Sequence, residues 1–158
     1  MIAPVQIWLE TSHHAAFRIG GWAWVRRDPG GEVSGAAGGE RRIDAERTGL
    51  LALMAALAGV PKVSPAQVWS ASAPVLVIPR VIAAAQAAEP GPDENLDLWA
   101  QVLGALKVEG RAIRPSQTQP GTPPAFAAAW AELARDRAKD RGNFTSPIPK
   151  SNLAKSGA

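Results

Sequence analysis

Cysteine and tyrosine are absent from this chain of 158 residues, and only two histidines occur. The absence of cysteine excludes disulfide bonds, thiolate zinc sites and thiol nucleophiles. With two histidines and no tyrosine, few side chains remain for general acid–base catalysis. No apolar run approaches the roughly 20 residues that a membrane-spanning helix needs.

The composition is that of one globular domain. Hydrophobic residues make up 46% of the chain and charged residues 20%, and 158 residues are enough to bury a sizeable core. Residues 1–4 lack the basic region and the apolar stretch of a secretory signal. We therefore expect a cytoplasmic protein that is not associated with a membrane.

Positive charge is concentrated at the carboxyl-terminal end of the chain. Residues 1–135 carry 12 basic and 12 acidic side chains, so the formal net charge of +3 arises entirely from residues 136–158. That distribution is typical of a basic tail rather than of a folded nucleic-acid-binding face. Residues 142–158 are rich in Pro, Ser, Asn and Gly, which predicts a flexible basic tail after a domain formed by residues 1–141.

Hydrophobic periodicity predicts an α/β fold for that domain. Alternation and β-forming residues over residues 5–9, a second strand over residues 20–27 and a strong turn at residues 28–31 predict an antiparallel meander of three strands. Leucines at helical spacing predict a helix over residues 44–58. Strands and helices then alternate, which favours a mixed sheet. Pro79 should kink or delay the helix predicted over residues 74–88. The predicted strands are residues 5–9, 20–27, 32–37, 66–70 and 110–114, and the other helices are residues 95–107 and 124–141.

Short motifs follow one another along this domain. Residues 46–53 are Glu-Arg-Thr-Gly-Leu-Leu-Ala-Leu, residues 95–99 are Asn-Leu-Asp-Leu-Trp, and residues 131–135 are Ala-Glu-Leu-Ala-Arg. In order and spacing, these segments resemble the ribonuclease H type 1 family over about residues 5–140. The corresponding family motifs are Asn-Arg-x-Glu-Leu-x-Ala, Asn-x-Asp-Leu-Trp and Asp-x-Leu-Ala-Arg.

Further segments are similar to the same family. Residues 5–12 resemble its first strand, which ends in Asp-Gly-Ser, and residues 20–25 follow at the spacing of its second strand. Residues 68–72 occupy the place of a strand ending in Thr-Asp-Ser, and residues 118–121 occupy the place of a Gly-His-x-Gly loop. The resemblance implies a ribonuclease H-like α/β fold, with a five-stranded mixed sheet of three antiparallel and then parallel strands, flanked by helices.

The resemblance also implies a site for two metal ions. In the family, four acidic residues meet at the centre of the sheet and hold two Mg²⁺ ions. These ions activate water and stabilise the leaving oxygen of an RNA phosphodiester in an RNA–DNA hybrid. Carboxylates suit this task because Mg²⁺ prefers hard oxygen ligands in a near-octahedral array.

This sequence departs from the family at the catalytic positions. Glu10 stands at the first acid and is one methylene longer than aspartate. Gly49, Ala71 and Ala131 stand at the other three acids, and Gln119 replaces the loop histidine. We therefore expect no catalytic residues, no hybrid cleavage and no cofactor, with Mg²⁺ required only if the family activity survives.

Three alternatives concern a surviving metal site. Glu10 and Glu46 are the candidates for sharing one ion, because Glu46 lies three residues before Gly49 on the predicted helix. A one-residue shift of the last motif would instead place Glu132 at the fourth acid. His13 and His14 follow Glu10 closely, although adjacent histidines on a loop are expected to be solvated rather than to chelate.

Arg18, Arg41 and Arg42 are the candidate phosphate contacts for a nucleic acid. Solvated surface pairs are the simpler interpretation of Arg41 and Arg42, because both neighbour acidic residues and turns. Some family members carry a basic projection before the Asn-x-Asp-Leu-Trp motif, but residues 81–94 contain no Lys or Arg here. The six tryptophans favour core packing over stacking against bases.

These observations favour a catalytically degenerate ribonuclease H homologue, a pseudoenzyme that binds an RNA–DNA hybrid or a single strand without cleaving it. The alternative is a protein-interaction scaffold that uses the sheet edge, the helix carrying Trp99 or the tail. A third interpretation is residual metal-dependent endonuclease activity on hybrids through Glu10 and Glu46. Fold alone does not decide between these functions.

Overall fold

The structure is a computed structural model that describes residues 2–158. Six strands form one sheet in the order β5-β4-β1-β2-β3-β6. The strands are β1 (Val5–His14), β2 (Ile19–Arg27), β3 (Val33–Arg41), β4 (Ala66–Ser70), β5 (Arg111–Pro115) and β6 (Phe144–Pro147). The helices are α1 (Ala45–Leu57), α2 (Ala73–Leu76), α3 (Ile78–Gln86), α4 (Leu96–Leu106), α5 (Pro123–Arg141) and α6 (Lys150–Leu153). No helix within residues 2–158 combines the length and the apolar character needed to cross a bilayer.

The strand directions confirm the predicted mixed sheet. The first three strands pair antiparallel through two hairpins, β4 runs parallel to β1, and β5 runs parallel to β4. The parallel strands are joined through helices, as parallel pairing requires. The strand count differs from the prediction, because β6 adds a sixth strand antiparallel to the free edge of β3.

Two adjacent glycines bring helices close to both faces of the sheet. A Cβ on Gly20 would collide with the side chain of Thr48 in α1, and a Cβ on Gly21 would collide with the backbone of α5 at Ala131 and Arg135. Successive strand residues face opposite sides of the sheet. Gly20 therefore lets α1 approach one face, and Gly21 lets α5 approach the other. The two hydrophobic clusters of the core lie on these two faces, one against α1 and α4 and the other against α5.

The helix predicted over residues 74–88 is divided into α2 and α3. Val77 separates the two helices, and Pro79 lies in the first turn of α3. Proline has no backbone N–H, so it is tolerated in a first turn but not within a continuous helix. The expectation that Pro79 interrupts the helix agrees with this break.

Residues 142–158, expected to be a flexible tail, contribute β6 and α6 to the folded domain. Ile148 and Leu153 are buried on the α5 side of the sheet, where a Cβ on Gly35 would contact both side chains. Because most residues of the segment are polar, its composition did not indicate that Ile148 and Leu153 would be buried. Glycine at position 35 leaves the space into which they pack.

Candidate active-site region and basic surface

Glu10 lies in β1 where backbone pairing with β4 has ended, since the last paired residues are Trp8 and Trp69. Its side chain lies between β1 and the end of β4, and the residue is 2% exposed. The Ala71 N–H donates to Glu10 Oε2 at 2.9 Å and to Oε1 at 3.1 Å. The Ser72 hydroxyl also donates to Oε1, at 2.8 Å.

Burial and these hydrogen bonds shift the pKa of Glu10 in opposite directions. Burial raises the pKa of the carboxyl above its ordinary value, and the hydrogen bonds from Ala71 and Ser72 offset the rise only in part. The Thr11 N–H donates to Ser72 Oγ at 2.8 Å, so the hydroxyl joins β1 to the end of β4. Both oxygens of the Glu10 carboxylate therefore already accept hydrogen bonds from residues 71 and 72.

Gly49 stands at the helix position that the resemblance assigns to a glutamate, and its surroundings leave no room for a side chain. A Cβ at this position would lie 2.8 Å from both Cβ and the backbone oxygen of Pro74 in α2. Real Cβ atoms do not approach backbone atoms so closely. Pro74 therefore occupies the space through which a glutamate side chain would have to pass.

Ala131 lies on the buried face of α5, against the sheet. Glu132 is exposed, so the structure does not place it at the sheet, as the shifted register would require. Ala71 and Gln119 are both exposed, and the Gln119 amide donates to Gln117 Oε1 at 3.3 Å. None of these positions adds a carboxylate beside Glu10.

Glu46 forms contacts with α4. Its Oε2 accepts the Asn95 side-chain amide at 2.9 Å, and its Oε1 accepts the Trp99 indole N–H at 3.1 Å. Next to it, Arg47 forms a bidentate ion pair with Asp97, which lowers the pKa of that exposed carboxyl. The Asn-Leu-Asp-Leu-Trp motif therefore joins the start of α4 to the start of α1. Both carboxylate oxygens of Glu46 take part in these hydrogen bonds.

His13 and His14 belong to the end of β1 rather than to a loop, which corrects the predicted strand boundary. His13 Nε2 lies 2.8 Å from the backbone oxygen of Ile43. Because a carbonyl oxygen only accepts, this nitrogen carries the proton and cannot ligate a metal in this arrangement. His14 is exposed, and its ring centroid lies 5.7 Å from that of Phe17.

The three candidate arginines have different roles. Arg41 donates Nε–H to the Ala138 oxygen at 2.8 Å and Nη2–H to the Lys139 oxygen, so its guanidinium caps the end of α5. This corrects its assignment as a phosphate contact, since a cation at a helix carboxyl terminus stabilises unpaired carbonyls. Arg18 and Arg42 are exposed, and the Ile43 N–H donates to the Arg18 oxygen at 3.0 Å, which holds their backbones together.

No known family model matches the sequence, and no curated protein matches it either. Among solved structures, the fold is similar to the N-terminal ribonuclease H domain of Rv2228c from Mycobacterium tuberculosis, determined as a fusion with maltose-binding protein. The TM-score is 0.58 at 16% identity, and the match covers 87% of this chain and 96% of that one. The chain has a ribonuclease H-like fold.

The residues at the centre of this ribonuclease H-like fold do not fit a pair of Mg²⁺ ions. Among residues 2–158, no group of three or more His, Asp or Glu side chains is arranged to hold a metal ion. Among the four positions that the resemblance assigns to acids, Glu10 is the one carboxylate, and it is already hydrogen bonded. Glu46 is committed to Asn95 and Trp99, so the predicted sharing of one ion by Glu10 and Glu46 has no support in the geometry.

Sequence reasoning missed three contacts in this ribonuclease H-like domain. Ser72 was not among the candidate residues, but its hydroxyl donates to Glu10 and accepts from the Thr11 N–H. Arg41 is the last residue of β3 and shows no local sign that it caps α5. Phe17 is 57% exposed beside the two free arginines, and an aromatic residue within the hairpin loop was the available signal.

Proposed function

We propose that this chain is a non-catalytic nucleic-acid-binding module built on a ribonuclease H-like fold. The observation that carries the proposal is the pair Arg18 and Arg42, which are exposed and adjacent at one end of the sheet. Within residues 2–158, no carboxylate lies within ion-pair distance of either guanidinium. Exposed, unpaired guanidinium groups are suited to phosphate oxygens, which they can bind through two parallel hydrogen bonds.

The region around Glu10 supports the non-catalytic part of the proposal. Two-metal hydrolysis needs several carboxylates that converge on both ions. Here the single carboxylate stabilises the end of β4, while Gly49 and Ala131 lie in close contacts between elements. Small residues at these positions allow tight packing, which contributes to the stability of the fold.

The fold supports the nucleic-acid part of the proposal. The similar domain from Mycobacterium tuberculosis is described as a ribonuclease H domain, and a nucleic acid is the class of ligand that such a domain handles. The neutral charge balance of residues 1–135 predicts modest affinity, because electrostatic attraction to phosphates dominates such binding. The nucleic acid then has to be positioned by a local group of basic side chains, because residues 1–135 have no net positive charge.

The test is one series of binding and cleavage measurements on a labelled RNA–DNA hybrid and on its single strands. Mg²⁺ or Mn²⁺ is present, and salt is varied from about 50 to about 200 mM. We expect binding that weakens steeply with salt, and no cleavage. The double variant Arg18→Ala/Arg42→Ala should lower the salt slope by about 1 for each arginine removed.

Arg80→Ala is the matched control, because Arg80 is an exposed arginine on α3, outside this surface. It should leave the salt slope unchanged. Metal-dependent cleavage that is lost in Glu10→Ala would overturn the non-catalytic assignment in favour of residual endonuclease activity. The absence of binding to any of the nucleic acids by the folded protein would overturn the nucleic-acid assignment.

One feature favours a protein-interaction scaffold as the second candidate function. A groove of about 250 Å³ lies between α3 and α4, lined largely by apolar side chains that include Val81, Ile82, Trp99 and Leu103. An apolar groove between two helices is a common place for a partner helix or a small ligand. If no nucleic acid binds, Leu103→Glu should then abolish binding to a protein partner without unfolding the domain.

A further inference from the structure

The hairpin loop between β1 and β2 presents an aromatic ring to solvent. Phe17 is 57% exposed in this loop, although it is one of only three phenylalanines in the chain. The loop is a formed turn, since the Arg18 N–H donates to the Ala15 oxygen at 3.3 Å and Arg18 has a φ of 52°. The ring therefore projects from an ordered part of the backbone.

One cation contacts this ring, and two arginines lie near it along the backbone. The Lys139 ammonium lies 4.5 Å from the ring centroid, which is the geometry of a cation–π contact. Arg18 follows Phe17 directly, and the hydrogen bond from Ile43 to Arg18 brings Arg42 alongside. We call Phe17, Arg18, Arg42 and Lys139 the loop-end surface.

The loop-end surface is held together by the Arg41 cap. Arg41 binds the last turn of α5 at Ala138 and Lys139, which positions Lys139 beside the β1–β2 loop. Glu40, Asp44 and Asp140 are the nearest acidic residues in sequence, and the Asp44 side chain already accepts the Arg47 N–H at 2.6 Å. The exposed Phe17 ring, with Lys139 against it and Arg18 and Arg42 near it along the backbone, is the aromatic platform of this surface.

We infer that the loop-end surface binds single-stranded nucleic acid, with an unpaired base stacked on Phe17 and the flanking phosphates on Arg18, Arg42 and Lys139. This inference rests on the proposed function and narrows it from nucleic acids in general to single strands. Every base has a π-face that can stack on an aromatic ring without regard to sequence. In a duplex or a hybrid, neighbouring base pairs already cover those faces, so the ring has no equivalent contact.

The chemistry of the platform favours a nucleic acid over a protein partner. A hydrophobic docking site for a protein has an apolar centre with few charges. Here a single exposed ring lies near three basic residues, which favour a ligand that carries anionic groups. A phosphate backbone with unpaired bases supplies the anions and the planar groups together.

The test measures the affinity of one labelled oligonucleotide as a single strand, as its DNA duplex and as its RNA–DNA hybrid. We expect the wild-type protein to bind the single strand most tightly. Phe17→Ala should weaken binding to the single strand by about tenfold or more, with little effect on the duplex. Phe17→Trp should retain the affinity, whereas Phe17→Leu, which keeps an apolar side chain without a π-face, should lose it.

Leu133→Ala is the matched control, because Leu133 is 60% exposed on α5 and lies outside the loop-end surface. Its affinities should equal those of the wild type, and the thermal unfolding of every variant shows that it is folded. Equal binding of all three nucleic acids, or no effect of Phe17→Ala, overturns the inference and leaves the proposed function standing. No binding to any nucleic acid by the wild type overturns both, and would leave a protein as the remaining class of partner.

Discussion

Both carboxylate oxygens of Glu10 accept the backbone N–H of Ala71, at 2.9 and 3.1 Å, across the gap between β1 and β4. The two residues stand at positions where the ribonuclease H resemblance places two metal-binding acids. With alanine at position 71, only its backbone remains to interact, and the longer side chain of glutamate reaches it. The hydrogen bonds from Ala71 thus join β1 to the residue that follows β4.

The first prediction concerns the pH dependence of stability. Because burial raises the pKa of Glu10 in the folded state, the folded protein retains this proton at a pH where the unfolded chain has released it. Stability from this group is therefore present at low pH and declines as the pH rises from the unfolded pKa through the folded one. Glu10→Gln cannot ionise, so its stability relative to the wild type should increase from about pH 4 to about pH 7.

Urea unfolding of both proteins at several pH values measures this difference, and the contributions of other titrating groups cancel. Glu10→Ala serves as the comparison, because it also lacks the ionisation but leaves the Ala71 N–H and the Ser72 hydroxyl without their acceptor. It should be less stable than Glu10→Gln by about 2–4 kcal/mol. A relative stability of Glu10→Gln that falls as the pH rises would contradict the raised pKa.

The second prediction concerns Gly49 and its contact with Pro74. Gly49→Ala should lower the free energy of unfolding by about 1–3 kcal/mol, because the added Cβ would lie 2.8 Å from the Pro74 backbone oxygen. Gly104→Ala, in the exposed face of α4, meets nothing within 4 Å and should stabilise the protein by about 0.5–1 kcal/mol. Thermal or chemical unfolding of the two variants provides the measurement, and equal effects would contradict the close contact.

The third prediction separates Arg41 from its neighbour Arg42. Arg41→Ala removes the cap on the carbonyls of Ala138 and Lys139 and should lower stability by about 1–2 kcal/mol. Arg42→Ala should change stability by less than about 0.5 kcal/mol, as is usual for an exposed side chain, while it weakens nucleic-acid binding. If Arg42→Ala destabilised the fold as much as Arg41→Ala, the division of roles would be wrong.

The fourth prediction concerns the carboxyl-terminal segment. Leu153 is 6% exposed and packs on the sheet, so Leu153→Ala should cost about 2–4 kcal/mol. Lys155→Ala, two residues later at an exposed position, should have little effect. Hydrogen exchange should show protected amides in β6, whose residues pair with β3. Rapid exchange of the amides throughout residues 144–147 would contradict the pairing of β6 with β3 and would indicate a flexible tail.

The strands and helices could be predicted to a large extent because they depend on local pattern. Alternation along residues 5–9 and 20–27 identified β1 and β2, and Pro79 marked the division between α2 and α3 without any tertiary information. The end of β1 was less evident, because Thr11 to His14 alternate weakly and gain their strand conformation by pairing with β2. Pairing energy comes from the partner strand, which local sequence does not describe.

The sequence by itself determined most of the strands and helices and the mixed character of the sheet, which follow from periodicity and spacing along the chain. The correspondence of Glu10, Gly49, Ala71 and Ala131 to the family motifs is what the resemblance implies. Only the tertiary structure decided that Glu10 binds Ala71, 61 residues away, and that Arg41 caps a helix carbonyl 97 residues away. Such contacts depend on how complete elements pack against one another, so neither the burial of a carboxylate nor the sixth strand is visible in a local stretch of residues.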